Sequence, residues 1–143
     1  MLRLATYNVE WFNALFDDDG GVLVDESPSA RYGVTRRAQL AALAVVFRAL
    51  EADGIMVIEA PDTGSKRSAS RALTAFAEWA GLRQRACATG FVSDTEQEIA
   101  FLYDPDRLTA RHDPQGKQTP PIGAHDDTRF DGTIRYDIDA DVT

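Results

Sequence analysis

The chain has 143 residues, 44% of them hydrophobic and 27% charged, with ten Gly and six Pro. That composition excludes collagen-like, disulfide-scaffold and low-complexity classes, and it holds enough apolar residues to exclude a wholly disordered chain. Fifteen Lys and Arg against 23 Asp and Glu give a net charge of −8, a mean field that repels phosphate and disfavours generic binding to nucleic acid or anionic membrane.

The average hides one local exception. Between Gly64 and Arg85, Lys66, Arg67, Arg71, Arg83 and Arg85 face only Glu78, an excess of about +4. Two readings stay open: a surface facing a phosphate-bearing substrate, or a solvated helix face with its flanking loops. The single cysteine, Cys87, has no partner for an internal disulfide, which favours a reducing compartment. Its place in the alternating stretch Arg83–Ala88 fits a buried structural thiol. No apolar run approaches the ~18 residues of a membrane span. The opening MLRLATYNVEWF is strand-like and not a secretory signal. A cytoplasmic location is expected.

Leu2–Val9 alternates and predicts the first strand. Glu10–Val34 reads as a long irregular stretch, its Asp17–Gly21 and Ser27–Ser29 segments being turn chemistry. A loop of that length in a compact domain is usually functional or mobile. Thr35 is a good N-cap, and Leu40, Leu43, Phe47 and Leu50 recur at helical spacing, with Gly54 as the expected stop. Ile55–Ile58 is a short apolar run of the kind buried on both faces; Glu59 closes it and Pro61 bars its extension. A second helix is predicted from Ser68 to Ala80, with Gly81 as its end. Strands are expected over Arg83–Ala88, Glu98–Tyr103 and Arg107–Asp113, the last two pairing as a hairpin through Asp104-Pro105-Asp106. Gln115–Asp127 reads as a loop and Thr133–Asp141 as a last strand.

This order predicts an α/β fold with a mixed β-sheet flanked by helices. The first two strands are joined by a helix, so they should be parallel, with their C-terminal ends at one sheet edge. Asn8 ends the first and Glu59 the second. Such edges bind ligands in open α/β sheets, and two oxygen-bearing side chains there suit a hard cation. An acid directly after four apolar residues is costly unless it is paired or binds metal; the other reading of Glu59 is a solvated strand end.

LATYNVEWF (Leu4–Phe12), followed about fifty residues on by DGIMVIEAPD (Asp53–Asp62), resembles the opening of the endonuclease/exonuclease/phosphatase superfamily. Tyr7-Asn8 matches its first motif and Asp53–Glu59 its second. EIAFLYDPDRL (Glu98–Leu108) looks like a later strand of the family. The resemblance implies the N-terminal half of a four-layered α/β sandwich. It implies Mg²⁺, or Mn²⁺, held chiefly by Glu59 with Asn8 at or near the ion, and both as catalytic residues. The implied chemistry is water attack on phosphorus, with nucleic acid or another phosphoester as substrate and nuclease-type phosphodiester hydrolysis foremost. A phosphomonoesterase or lipid phosphodiesterase is the alternative within the family; a non-catalytic binding or assembly module is the alternative outside enzymes.

Two departures matter. The family commonly has Gln before the Glu, where this chain has Ile58. Its Gly-Asp-Phe-Asn-like and Ser-Asp-His-like motifs have no counterpart here: Asp131-Gly132 reverses the required order, and His112 and His125 sit in other contexts and are expected at the surface. Residues 1–143 are therefore expected to form an incomplete domain, inactive alone, with an exposed sheet face and, as a result, weak stability or association through that face. Asp17–Asp19 is expected to be an exposed turn. Asp137, Asp139 and Asp141 are expected to be a solvated edge face, since an EF-hand-like loop would need Gly where Val142 stands.

Overall fold

A computed structural model describes residues 1–63, 67–90, 98–114 and 134–139. The chain is α/β. Strand β1 (Leu4–Asn8) leads through a 3-10 turn (Phe12–Leu15) to helix α1 (Arg36–Ala49) and strand β2 (Gly54–Ala60). Helix α2 (Ala69–Ala80) and strands β3 (Ala86–Thr89), β4 (Glu98–Tyr103), β5 (Thr109–Pro114) and β6 (Ile134–Asp139) follow. The main sheet has the order β1-β2-β4-β3. β1 and β2 run parallel, in register Leu4↔Gly54 through Asn8↔Ile58, and β4 is antiparallel to both of its neighbours.

The expected β4–β5 hairpin does not form. β5 pairs instead with β6 in a separate two-stranded sheet, Thr109 facing Asp139. Both edges of β4 are already taken by β2 and β3, so no edge remains for β5. The Asp104 turn redirects the chain: its backbone oxygen accepts from Arg107 and Leu108 (both 3.1 Å) and its side chain from the Asp106 N–H.

Each helix begins where a side chain caps it. Thr35 accepts from the Ala38 N–H (3.2 Å) and Ser68 from the Arg71 N–H (3.4 Å). α2 ends on Gly81, whose φ of 63° is the left-handed conformation that glycine adopts without a Cβ clash. α1 does not wait for Gly54: it stops at Ala49, and Glu51 takes the positive φ (48°). Gly54 serves the sheet instead. A Cβ there would stand 2.3 Å from Cζ of Phe101, which packs over it.

Alternation sorts the sheet into two faces. Tyr7, Val9, Ile55, Val57, Ala100 and Leu102 pack with Leu40, Phe47, Leu73 and Phe76 of the helices. The turn after β1 joins this core rather than lying outside it: Phe12 meets Phe76 edge-on at 5.1 Å, and Phe47 meets Phe76 at 5.2 Å. The opposite face is thinly covered. Leu4 is 48% and Ile99 43% exposed, Thr6 is exposed, and Met56 and Ile58 are half-buried. The expected burial of β2 on both faces is thus complete on the helix side and partial on the other, where Gly54 is covered by Phe101 and Met56 and Ile58 are half-buried. No helix among the described residues is long and apolar enough to cross a membrane.

Candidate functional site

Asn8 and Glu59 meet at the C-terminal edge of the parallel pair. The Asn8 side-chain amide donates to Oε1 of Glu59 at 3.1 Å. Tyr7 turns its ring into the core, edge-on to Phe47 at 5.5 Å, so alternation sends Asn8 to the thinly covered face with Leu4 and Thr6. Ile58 lies directly beside Asn8 in register, and its carbonyl accepts from the Val9 N–H at 2.9 Å.

Glu59 reaches Asn8 only because the strand breaks its alternation. Regular pleating would place Glu59 with Ile55 and Val57, over the aromatic core. The β2–β4 register slips between Ile58 and Ala60, and Glu59 adopts φ 57°. A bulge with a left-handed, non-glycine residue re-aims one side chain, at a backbone cost of order 1 kcal/mol. Strain of this kind persists only where the surroundings over-determine it, and two neighbours here do so.

The first is Glu98, at the start of β4 and opposite Ala60. It is 3% exposed, and its two oxygens accept from the Thr63 N–H (2.7 Å) and the Thr63 hydroxyl (3.0 Å). The Thr63 hydroxyl in turn accepts from the first N–H of α2 at 3.3 Å. The second is Arg67, which pairs with Asp62 in a largely buried contact and also donates to the Asn13 side-chain oxygen. Asn13 further accepts from the Asp62 N–H at 3.4 Å. The segment after Glu59 is therefore tied to β4, to α2 and to the turn after β1. Sequence reasoning named none of Glu98, Asn13 or Thr63 as site residues, because each looks like an ordinary strand or loop polar residue until the fold assembles them.

The basic window does not form one surface. Arg67 is spent on Asp62 and Asn13 beside the candidate site, while Arg83 and Arg85 lie at the other end of the sheet, paired with Asp53 and Asp106. Lys66 lies outside the described residues. Asp17–Asp19 is an exposed turn, as expected: Asp17 Oδ1 accepts from the Asp19 and Gly21 N–H groups at 3.0 and 2.7 Å. His112 is half-buried on β5, a correction to the surface position expected for it. β6 carries Asp137 and Asp139; Asp141 and His125 lie outside the described residues. Cys87 is a half-buried thiol whose burial pushes its pKa up to about 11, against a smaller opposing hydrogen bond with Ser70.

As a cation site the arrangement offers one carboxylate and one amide oxygen, since Asn8 bonds Glu59 through its nitrogen. Among the described residues no group of three or more His, Cys, Asp or Glu stands together as a metal cage. Two oxygen donors fall short of a calcium cage but fit Mg²⁺, which keeps several waters and takes one or two protein carboxylates together with substrate phosphate. The chain matches no protein-family model, no curated protein and no solved structure.

Proposed function

We propose that this chain is the metal-binding portion of a divalent-cation-dependent phosphoester hydrolase, most simply a nuclease-type phosphodiesterase of the endonuclease/exonuclease/phosphatase kind. The observation that carries the reading is the 3.1 Å bond between Asn8 and a Glu59 held in a left-handed conformation at a shared strand edge. Strained, re-aimed acids at the carboxyl ends of parallel strands belong to sites more than to scaffolds. Glu59 and the Asn8 oxygen would hold Mg²⁺ or Mn²⁺, and the ion would supply charge stabilisation at the phosphoryl oxygens when bound. Asn8 fixes the rotamer of Glu59, and the Glu98–Thr63 and Arg67–Asp62 ties hold the bulge behind it. A general base and a group to protonate the leaving oxygen are not among the residues gathered here. The complete site is proposed to draw them from a second, packed half of a four-layered sandwich.

Mn²⁺ binding to the chain, followed by electron paramagnetic resonance, tests the reading. Saturable binding that Glu59→Gln abolishes and Asn8→Ala weakens is the expected result; equal affinity in Glu59→Gln overturns it. A screen of DNA, RNA, inositol phosphates and sphingomyelin with Mg²⁺ then separates the substrate classes, and the chain by itself is expected to turn over none of them.

A second reading has its own observation. The exposed Leu4 and Ile99 sit on one sheet face with half-buried Met56 and Ile58, which suits an assembly module. Sedimentation of a concentrated sample as a plain monomer, unchanged by Ile99→Lys, counts against it.

A further inference from the structure

A cavity of about 670 Å³ opens at the edge of the sheet opposite Asn8 and Glu59. It lies where β1 and β2 begin and β4 ends, since Leu4, Gly54 and Tyr103 share one line of register. Four of its lining residues are arginines, Arg3, Arg48, Arg83 and Arg107, against two lining carboxylates, Glu51 and Asp53. In a chain of net charge −8 this is a local inversion of sign.

The arrangement of these charges is specific. Asp53 is 4% exposed, and its Oδ2 accepts from the Arg3 backbone N–H at 2.7 Å. Its other oxygen, Oδ1, takes two guanidiniums at once, Arg83 at 3.1 Å and Arg107 at 3.4 Å, both about half exposed. One buried carboxylate oxygen thus gathers two like charges whose outer faces turn to the cavity. Arg3 stands at the same edge, paired through one nitrogen with the exposed Glu51 at 2.9 Å, and Arg48 is fixed by donating to the Ala80 carbonyl at 2.8 Å. Arg83 also caps the Glu51 and Ala52 carbonyls at 2.9 Å each. The carbonyl end of α2, which would repel an anion, is therefore answered by Arg48, and two carbonyls of the loop between α1 and β2 are answered by Arg83.

We infer that this cavity is a binding site for a small phosphorylated molecule, its phosphate seated against Arg83 and Arg107 with Arg3 at the rim. The volume is that of a small-molecule site. A planar guanidinium held in place matches phosphate oxygens through paired N–H donors. A phosphate monoester brings close to two negative charges at neutral pH, and the four arginines keep a positive excess over Glu51, Asp53 and the buried Asp104, whose Oδ2 lies 3.6 Å from Arg83. The inference is independent of the metal reading at the opposite edge.

The test is a titration of the chain with pyrophosphate, followed by amide chemical shifts and thermal shift, with succinate as a dianion lacking phosphate. Saturable binding, with shifts centred on Arg3, Asp53, Leu82–Gln84 and Arg107, is the expected result. Arg107→Gln and Arg3→Gln should each weaken it at least about tenfold. Arg3→Gln removes only an exposed pair, so it keeps the test clear of misfolding. Arg85→Gln, whose guanidinium is bound to Asp106 outside the cavity, should leave affinity unchanged. No saturable binding, or equal loss in Arg85→Gln, overturns the site. Succinate binding as tightly as pyrophosphate overturns its assignment to phosphate.

Discussion

Asn8 and Glu59, 51 positions apart in the chain, are joined by a 3.1 Å hydrogen bond, although regular pleating would put them on opposite faces of the sheet. The bulge between Ile58 and Ala60 makes the bond possible, and the left-handed backbone of Glu59 is what the bulge requires.

Glu59→Gly should be more stable than Glu59→Ala by about 1 kcal/mol, because only glycine relieves a φ of 57°. At an ordinary strand position the order is reversed, since glycine loses more chain entropy. Urea midpoints of the two variants decide it. An alanine variant equal to or more stable than the glycine variant would mean that Glu59 carries no backbone strain.

Asp53 should make the fold sensitive to acid. The Arg3 backbone N–H holds its carboxyl below the ordinary value of 3.8; burial, the next largest effect, opposes it, and the Arg83 and Arg107 guanidiniums add to the lowering. A carboxyl depressed in the folded state contributes stability that is fully present above its unfolded value. That contribution is lost as the pH falls below 3.8 and through the folded value. Asp53→Asn should therefore lower stability at pH 6 and flatten its decline below pH 4, as measured by denaturant unfolding across that range. A decline as steep as in the parent chain would remove Asp53 as its source.

Cys87 should resist alkylation. A thiol with a pKa of about 11 holds very little thiolate near pH 8, and the thiolate is the reactive form. Modification by iodoacetamide should be slow in the native chain and become fast in urea. Rapid native-state labelling would contradict the packing of β3 against α2.

Phe12→Ala should cost about 3–5 kcal/mol, the range for a fully buried aromatic side chain. Phe12 is 1% exposed and packs against Phe16, Phe47 and Phe76. A cost under about 1 kcal/mol, as for a surface change, would show that the turn after β1 is not part of the core. Thermal unfolding of the variant reads this directly.

Much of the architecture was legible from local chemistry. Thr35 and Ser68 announce helices because their hydroxyls satisfy N–H groups that the first turn leaves open, and Gly81 announces an end because it alone enters the left-handed region without strain. The parallel β1–β2 pair followed from the helix between them. Asn8 and Glu59 were both read from their place at strand ends. The partner of β5 was not legible, because a short turn between two strands says nothing of whether the first has an edge left to offer. Gly54 looks like a helix stop from its neighbours alone, since the ring that packs over it, Phe101, lies 47 positions further along the chain.

The sequence by itself determined which residues stand at the sheet edge, because alternation, capping and strand ends are properties of a few neighbouring residues. Only the tertiary structure decided where Glu59 points and that four arginines share one cavity. The first depends on how β4 registers against β2. The second depends on segments from Arg3, α1, the end of α2 and the turn after β4 meeting around Asp53. Contacts between such distant positions carry no periodic signal in the chain; they exist only once burial of the common core has brought the segments together.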